Sequence, residues 1–145
     1  MRAVRACLGA WAVAAALTAC GGDDEPFSPT PATVQGTYNA SRFTATSNST
    51  GDVNLLALGA TVHVVLNADG TTTGHLSVPD LGFGPGAIEA DLAGTWSLSG
   101  KTVTFSPNDP NSIIGDADFT ATQNSLDGEG DFEGTTLHLT LFKTG

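Results

Sequence analysis

Apolar and polar residues alternate along short segments of the chain from about residue 35 onward, and turn-forming residues separate these segments. A β-strand points successive side chains to opposite faces, so this alternation is typical of strands with one buried face. Turn signals at such short intervals indicate an all-β sandwich or barrel. The pattern predicts eight strands, at residues 36–46, 60–67, 71–78, 93–98, 101–106, 116–123, 126–132 and 135–143.

Four predicted hairpin turns, at residues 67–70, 99–100, 124–125 and 133–134, set the register between neighbouring strands. In each hairpin this register places the apolar faces of the two strands on the same side of the sheet, whereas a shift by one residue would place them on opposite sides. The predicted pairs include Val62 with Leu76, His63 with His75, Trp96 with Val103, Phe119 with Gly130, and Gly128 with Leu139.

The first strand changes face part-way along. Tyr38 and Ala40 share one face while Phe43 and Ala45 share the other, so we expect a bulge near Ser41. An even-numbered meander whose strands each have an apolar face leaves no free edge when it closes on itself. We therefore predict a single eight-stranded antiparallel up-and-down barrel.

Two connections carry apolar residues. The segment from Val53 to Leu58 is expected to form one helical turn that caps an end of the barrel. The longest connection, residues 79–91, carries Leu81, Phe83 and Ile88 among glycines. Loops of this length usually have a function, and this one is either a lid over the barrel mouth or a plug in it.

The amino-terminal segment, residues 1–19, has the features of an export signal. Its apolar run from Ala6 to Leu17 is too short to span a bilayer, which takes about 20 residues. Leu17-Thr18-Ala19-Cys20 resembles the lipobox of bacterial lipoproteins. That resemblance implies a lipoprotein signal peptide, cleavage before Cys20, and a diacylglycerol group on Cys20 that anchors the protein in a membrane. The alternative is an ordinary cleavable signal with an incidental cysteine.

The expected location is therefore the bacterial cell envelope. Gly21 resembles the residue that follows the cysteine in lipoproteins sorted outward, which implies the outer membrane, on its periplasmic or surface side, where the host has one. Residues 20–34 contain the anchor and a proline-rich acidic stretch that predicts a flexible linker. Residues 35–145 are then one barrel domain.

The charge of the mature chain narrows the choice of partners. After removal of residues 1–19, only Arg42, Lys101 and Lys143 remain against fifteen acidic residues, a formal charge of −12. Binding to nucleic acid requires basic residues that neutralise phosphates, so nucleic acid is excluded as a partner. Because Cys7 lies in the segment removed, no internal disulfide is expected.

Two short motifs carry a resemblance to a family. Gly36-Thr37-Tyr38 and the segment 91–98, DLAGTWSL, resemble the Gly-x-aromatic strand openings of lipocalin-like domains in exported bacterial lipoproteins. The resemblance implies a barrel that can hold a small apolar ligand in its interior.

The predicted inner face contains no carboxylate, histidine or lysine, so we expect a protein that is not an enzyme and needs no cofactor. An eight-stranded barrel is just wide enough either to be filled by side chains or to hold one small ligand. A lipid-like or terpenoid ligand would find Tyr38 as its polar contact. The candidate ligand-binding residues are Tyr38, Phe43, Leu76, Phe83, Trp96, Phe105, Phe119 and Phe132.

Two other functions remain open. Large residues facing glycines could fill the barrel, which would then serve as a structural or protein-interaction module through its loops and outer face. An enzyme would need a polar cluster assembled from the loops at residues 79–91 and 107–115.

We expect no metal site. His63 and His75 face each other on the outer surface, but their neighbours there are threonine, valine and serine, which do not complete a zinc site. His138 is predicted to lie beside Glu129. The outward carboxylates of residues 127–133 are about 6.6 Å apart along their strand, too far to surround one calcium ion.

Overall fold

The structure is a computed structural model that describes residues 26–49, 51–82 and 86–145. It contains one short α-helix, α1 at Pro31–Val34, and 3₁₀ turns at Leu56–Leu58 and Ile113–Asp116. The strands are β1 Gly36–Ser47, β2 Gly51–Asn54, β3 Thr61–Leu66, β4 Thr71–Val78, β5 Ile88–Asp91, β6 Gly94–Ser99, β7 Thr102–Pro107, β8 Asp118–Ala121, β9 Ser125–Phe132 and β10 Thr135–Lys143.

Eight of these strands close into an antiparallel barrel, which confirms the predicted fold class. The order around it is β10, β9, β8, β7, β6, β4, β3 and β1. The first and last strands then pair with each other, from Tyr38 opposite Lys143 to Thr46 opposite Thr136. This pairing removes both edges of the sheet.

The two additional strands, β5 and β2, pair with the parts of β4 and β1 that lie beyond the pairings of β4 with β6 and of β1 with β3. β4 pairs with β6 at Thr71–Thr95 and with β5 at His75–Asp91, which is one continuous register. Leu92 bridges the gap between them, because its backbone N–H donates to the carbonyl oxygen of Gly74. Residues 88–91, predicted as loop, are therefore strand, because they hydrogen-bond along the far half of β4. β2 likewise pairs with the last part of β1, beyond the residues that pair with β3.

The bulge in the first strand is confirmed. The register between β1 and β10 shifts between Ala40 and Arg42, so Ser41 is the extra residue. This shift lets both Tyr38 and Phe43 point inward, where they are buried. The segment predicted as one helical turn is divided: Gly51–Asn54 is strand, because it pairs with β1, and only Leu56–Leu58 is helical.

Two of the four hairpin registers are confirmed and two are wrong. The β3–β4 hairpin pairs Val62 with Leu76, and the β9–β10 hairpin pairs Gly128 with Leu139, as predicted. In the other two hairpins the register differs by two residues, so Trp96 faces Phe105 and Phe119 faces Gly128.

Those two turns lie elsewhere than predicted. In the β6–β7 hairpin the last pair is Ser99 with Thr102, so the turn is formed by Gly100 and Lys101, and Gly100 takes a positive φ of 61°. In the β8–β9 hairpin the turn lies between Thr122 and Ser125, because the Thr122 hydroxyl accepts a hydrogen bond from the Ser125 N–H at 3.0 Å. A shift of two residues keeps every side chain on its face, so the predicted inner face is unaffected.

One end of the barrel, which we call the closed end, is sealed by α1 and by the hairpins β3–β4, β6–β7 and β8–β9. Thr30 caps α1 through a reciprocal capping box with Thr33, and Pro31 occupies the first turn. Val34 is then buried, and its carbonyl oxygen accepts a 2.6 Å hydrogen bond from the Tyr38 hydroxyl. α1 therefore packs on the barrel through Val34, and it lies inside the segment 20–34 that was predicted to be flexible linker.

We call the opposite end the open end. It contains the carboxyl ends of β1 and β4 and the turn between β9 and β10. The two 3₁₀ turns and the connection that leaves β4 also lie here.

Candidate ligand-binding cavity

The open end holds a cavity of about 140 Å³. It lies between the end of β1, the β9–β10 hairpin, the end of β4 and the Ile113–Asp116 turn. The β2–β3 connection contributes Leu55 to its wall. Its main apolar lining residues are Phe43, Leu55, Val78, Ile113, Phe132 and Leu137.

A second, much smaller cavity of about 20 Å³ continues from the first. The two share Phe43, Ile113, Phe132 and Leu137 as walls, and the small one reaches Phe119 and Gly128. Small residues create this space, because Ala45 lines the larger cavity while Gly128 and Gly130 line the smaller. The interior is thus packed at the closed end and incompletely filled at the open end.

The predicted ligand-binding residues are divided between these two regions. Phe43 and Phe132 line the larger cavity, and Phe119 lines the smaller one. Leu76, Trp96, Phe105 and Tyr38 are buried and line neither cavity. Phe83 lies outside the described residues.

Tyr38 was predicted to be the polar contact for a ligand, but its hydroxyl donates to the carbonyl oxygen of Val34 at the closed end. Burial raises the pKa of Tyr38 to about 12. The indole Nε1 of Trp96 is also engaged, because it donates to the carbonyl oxygen of Asn67 at 2.9 Å. Both polar groups therefore stabilise the closed end through hydrogen bonds to backbone carbonyl oxygens.

Several lining residues were not predicted, because they come from segments between the alternating strands. Leu55 follows β2 and is 5% exposed, and Ile113 begins a 3₁₀ turn and is 6% exposed. The available signal was the apolar pair Ile113-Ile114 in an otherwise polar connection. Such a pair needs a buried site, and the nearest one is the end of the barrel.

The long connection after β4 supplies part of the wall. Pro79, Leu81 and Ile88 line the cavity, and Leu81 and Ile88 are partly buried against the core. Such contacts are expected of both predicted roles, lid and plug.

Three polar residues near the open end form a hydrogen-bonded group on the outer surface. The Glu89 carboxylate accepts hydrogen bonds from the Ser77 hydroxyl and from Nε2 of His75, both at 2.6 Å. These bonds lower the pKa of Glu89, the serine contributing more than the histidine. Because the serine proton is directed at the carboxylate, the three residues do not form a hydroxyl activated by an imidazole base.

Asp109 fastens the connection between β7 and β8. Its carboxylate accepts hydrogen bonds from the backbone N–H of Asn111 at 2.9 Å and of Asp91 at 3.1 Å. The Asn111 and Asp91 donors hold the pKa of Asp109 below its usual range. Both carboxylate oxygens accept hydrogen bonds from backbone N–H groups, so Asp109 has a structural role.

The predicted histidine pairs are present on the outer face. His63 lies opposite His75, but Nδ1 of His63 is within 2.8 Å of the Asn39 side-chain oxygen, so each ring has its own partner. Nδ1 of His138 lies 3.3 Å from the Glu129 carboxylate. Within the described ranges, no three or more His, Cys, Asp or Glu side chains are grouped so that they could hold a metal ion.

Comparison with known proteins gives no relative: no protein-family model, no curated protein and no solved structure matches this chain. Among residues 26–49, 51–82 and 86–145, no helix has the length and apolar character needed to cross a bilayer.

Proposed function

We propose that this protein is a lipid-anchored, non-enzymatic component of the bacterial cell envelope that binds a small apolar molecule in the open-end cavity. The observation that carries the proposal is the cavity itself, which opens to solvent at one end of the barrel and is lined mainly by aromatic and aliphatic side chains. Small-molecule sites are concave and mostly apolar, so an apolar cavity of this kind supports a binding site.

The cavity volume limits the ligand. An apolar cavity of about 150 Å³ is enough to hold a molecule of the size of benzene. The volume of about 140 Å³ therefore suits a single six-membered ring, a small terpenoid fragment or the end of an acyl chain. A complete long-chain fatty acid is too large to be enclosed.

Binding is tested with toluene as the probe, by calorimetry or ligand-observed NMR, on the purified protein. Ala45→Leu places a larger side chain in the cavity and should weaken toluene binding at least tenfold. Ala57→Leu is the matched control, because Ala57 is exposed on the 3₁₀ turn at the same end and lies outside the cavity lining. Equal affinities in the wild type and the Ala45→Leu variant, or no binding to any variant, would contradict the proposal.

The anchor has a separate test. Replacement of Cys20 by Ser should abolish lipid attachment and release the protein from the membrane fraction, or leave its precursor unprocessed. A Cys20→Ser protein that is processed and attached to the membrane as in the wild type would contradict lipidation at that residue.

A protein-interaction module is the alternative, and exposed apolar side chains favour it. Leu58 and Phe142 are 47% and 49% exposed, the most exposed large apolar residues in the described part of the chain. They lie at opposite ends of the barrel, however, Leu58 beside the open end and Phe142 near the end of β10. Two separate residues make no continuous docking patch, so ligand binding is the better-supported function.

A further inference from the structure

The cavity has a charged side chain at its rim. Among the described residues that line it, Glu133 is the only one with a charge, and Thr135 is the only other polar side chain. Glu133 is exposed, so this acidic residue lies where the cavity meets solvent. A ligand that filled the apolar space would therefore have its outer end near an acidic residue.

Turn geometry gives no reason for a glutamate at this position. Glu133 and Gly134 form the two-residue turn between β9 and β10, with φ angles of 49° and 81°. Such turns favour Asn-Gly or Gly-Gly, and Glu133 is the one residue other than glycine with a positive φ in the described ranges. Unfavourable backbone conformations of this kind occur preferentially at functional sites.

The basic side chains lie away from this rim. Lys101 is in the β6–β7 turn at the closed end, and Nζ of Lys143 donates to the carbonyl oxygen of Thr33 at that same end. Arg42 lies in a groove on the outer face of the barrel, together with acidic residues. None of these three, the lysines and arginine of the described ranges, lines the cavity.

Three other acidic residues belong to segments at the same end of the barrel. Asp80 lies on the connection that leaves β4, Asp109 on the connection that leaves β7, and Asp131 near the end of β9. All three connections or strand ends belong to the open end. Charges of one sign around a cleft attract ligands of the opposite sign and repel those of the same sign.

We propose that the ligand of this cavity is a small hydrophobic amine, with its ring in the apolar space and its ammonium group beside the Glu133 carboxylate. This inference rests on the proposed ligand-binding function and specifies its ligand class. A carboxylic acid of the same size is disfavoured, because it would bring a second negative charge to the rim.

The test uses three probes that share one ring, namely toluene, benzylamine and benzoate, with the purified full-length chain at pH 7. Glu133→Gln removes the charge with little change in size. It should weaken benzylamine binding by up to about fivefold, the upper end of the range for a solvent-exposed ion pair. It should leave toluene binding unchanged and strengthen benzoate binding. Added salt should reduce the preference of the wild type for benzylamine.

Asp127→Asn is the matched control, because Asp127 is on β9, the strand that leads into the turn of Glu133, and it lines the outer groove but not the cavity. It should leave all three affinities unchanged. If Glu133→Gln does not fold, Glu133→Asn removes the same charge and suits the turn better.

The outcomes separate the two proposals. If toluene does not bind the wild type, the cavity is not a ligand site and both proposals fail. If toluene binds but Glu133→Gln leaves benzylamine affinity unchanged, or Asp127→Asn lowers it equally, the amine proposal alone is overturned.

Discussion

Gly128 allows the Phe119 ring to lie against the backbone of β9, and substitution there tests the packing of the barrel. A Cβ atom at Gly128 would lie 2.5 Å from Cε1 and 2.6 Å from Cδ1 of Phe119. Carbon atoms in favourable contact are about 3.5–4.0 Å apart, so the ring would have to move by about 1 Å. Phe119 is 1% exposed and packs edge-on against Phe105, with ring centroids 5.1 Å apart. The 20 Å³ cavity beside it offers little room.

Two opposing effects determine the size of the change in Gly128→Ala. The loss of backbone freedom in the unfolded chain favours alanine in a strand by about 0.5–1 kcal/mol. Overpacking of a filled interior costs about 1–3 kcal/mol. The packing effect is larger, so we expect the free energy of unfolding to fall by about 1–2 kcal/mol, as measured by urea unfolding.

A double-mutant cycle isolates the contact. In a Phe119→Leu background the ring is absent, so Gly128→Ala should cost little or become slightly stabilising. The resulting coupling energy should be about 1–2 kcal/mol, within the range for residues in direct contact. Additive effects of the two substitutions would refute the pairing of Phe119 with Gly128 and would restore the register in which Phe119 faces Gly130.

Three further changes test the closed end and the interior. Because burial raises the pKa of Tyr38 to about 12, the folded state keeps a proton that the unfolded state loses near pH 10. The contribution of Tyr38 to the free energy of unfolding is therefore fully present below pH 10, and it is lost as the pH rises to 12, a fall of up to about 3 kcal/mol. Tyrosinate absorbance reports this directly, since the sequence has one tyrosine, and a midpoint near pH 10 would contradict the burial. Trp96→Phe removes the hydrogen bond to the Asn67 carbonyl oxygen and should lower the melting temperature, at a cost of about 1 kcal/mol. Ser112→Ala should leave the free energy of unfolding unchanged or raise it by up to about 1 kcal/mol, because the buried Ser112 hydroxyl has no hydrogen-bond partner in the described part of the chain. A marked loss of stability in Ser112→Ala would show that this hydroxyl is bonded.

The fold class could be predicted because the alternation of apolar and polar residues extends over nearly all the strands. The register could be predicted where the turn residues permit only one arrangement. Asn67 to Gly70 suits one turn, and its register is confirmed. Ser99, Gly100 and Lys101 permit two arrangements that differ by two residues and keep the same faces, so the pattern alone could not distinguish them.

The cavity could be predicted only in part. Phe43 and Phe132 belong to alternating strands, so the inward face identified them. Leu55 and Ile113 belong to connections, whose position over the barrel depends on the whole tertiary structure. The hydrogen bond of the Tyr38 hydroxyl could not be predicted, because its acceptor is a backbone carbonyl of a helix that the sequence pattern assigned to the linker.

The seam between β1 and β10 has a consequence for how the chain reaches its native state. The strand that begins the barrel pairs with eight residues of β10, roughly a hundred positions further along. During vectorial synthesis or threading through a pore, every intermediate length leaves β1 without that neighbour and the interior open to water. Cooperative folding must therefore wait for the carboxyl-terminal strand to emerge, and pairings so distant in sequence form slowly.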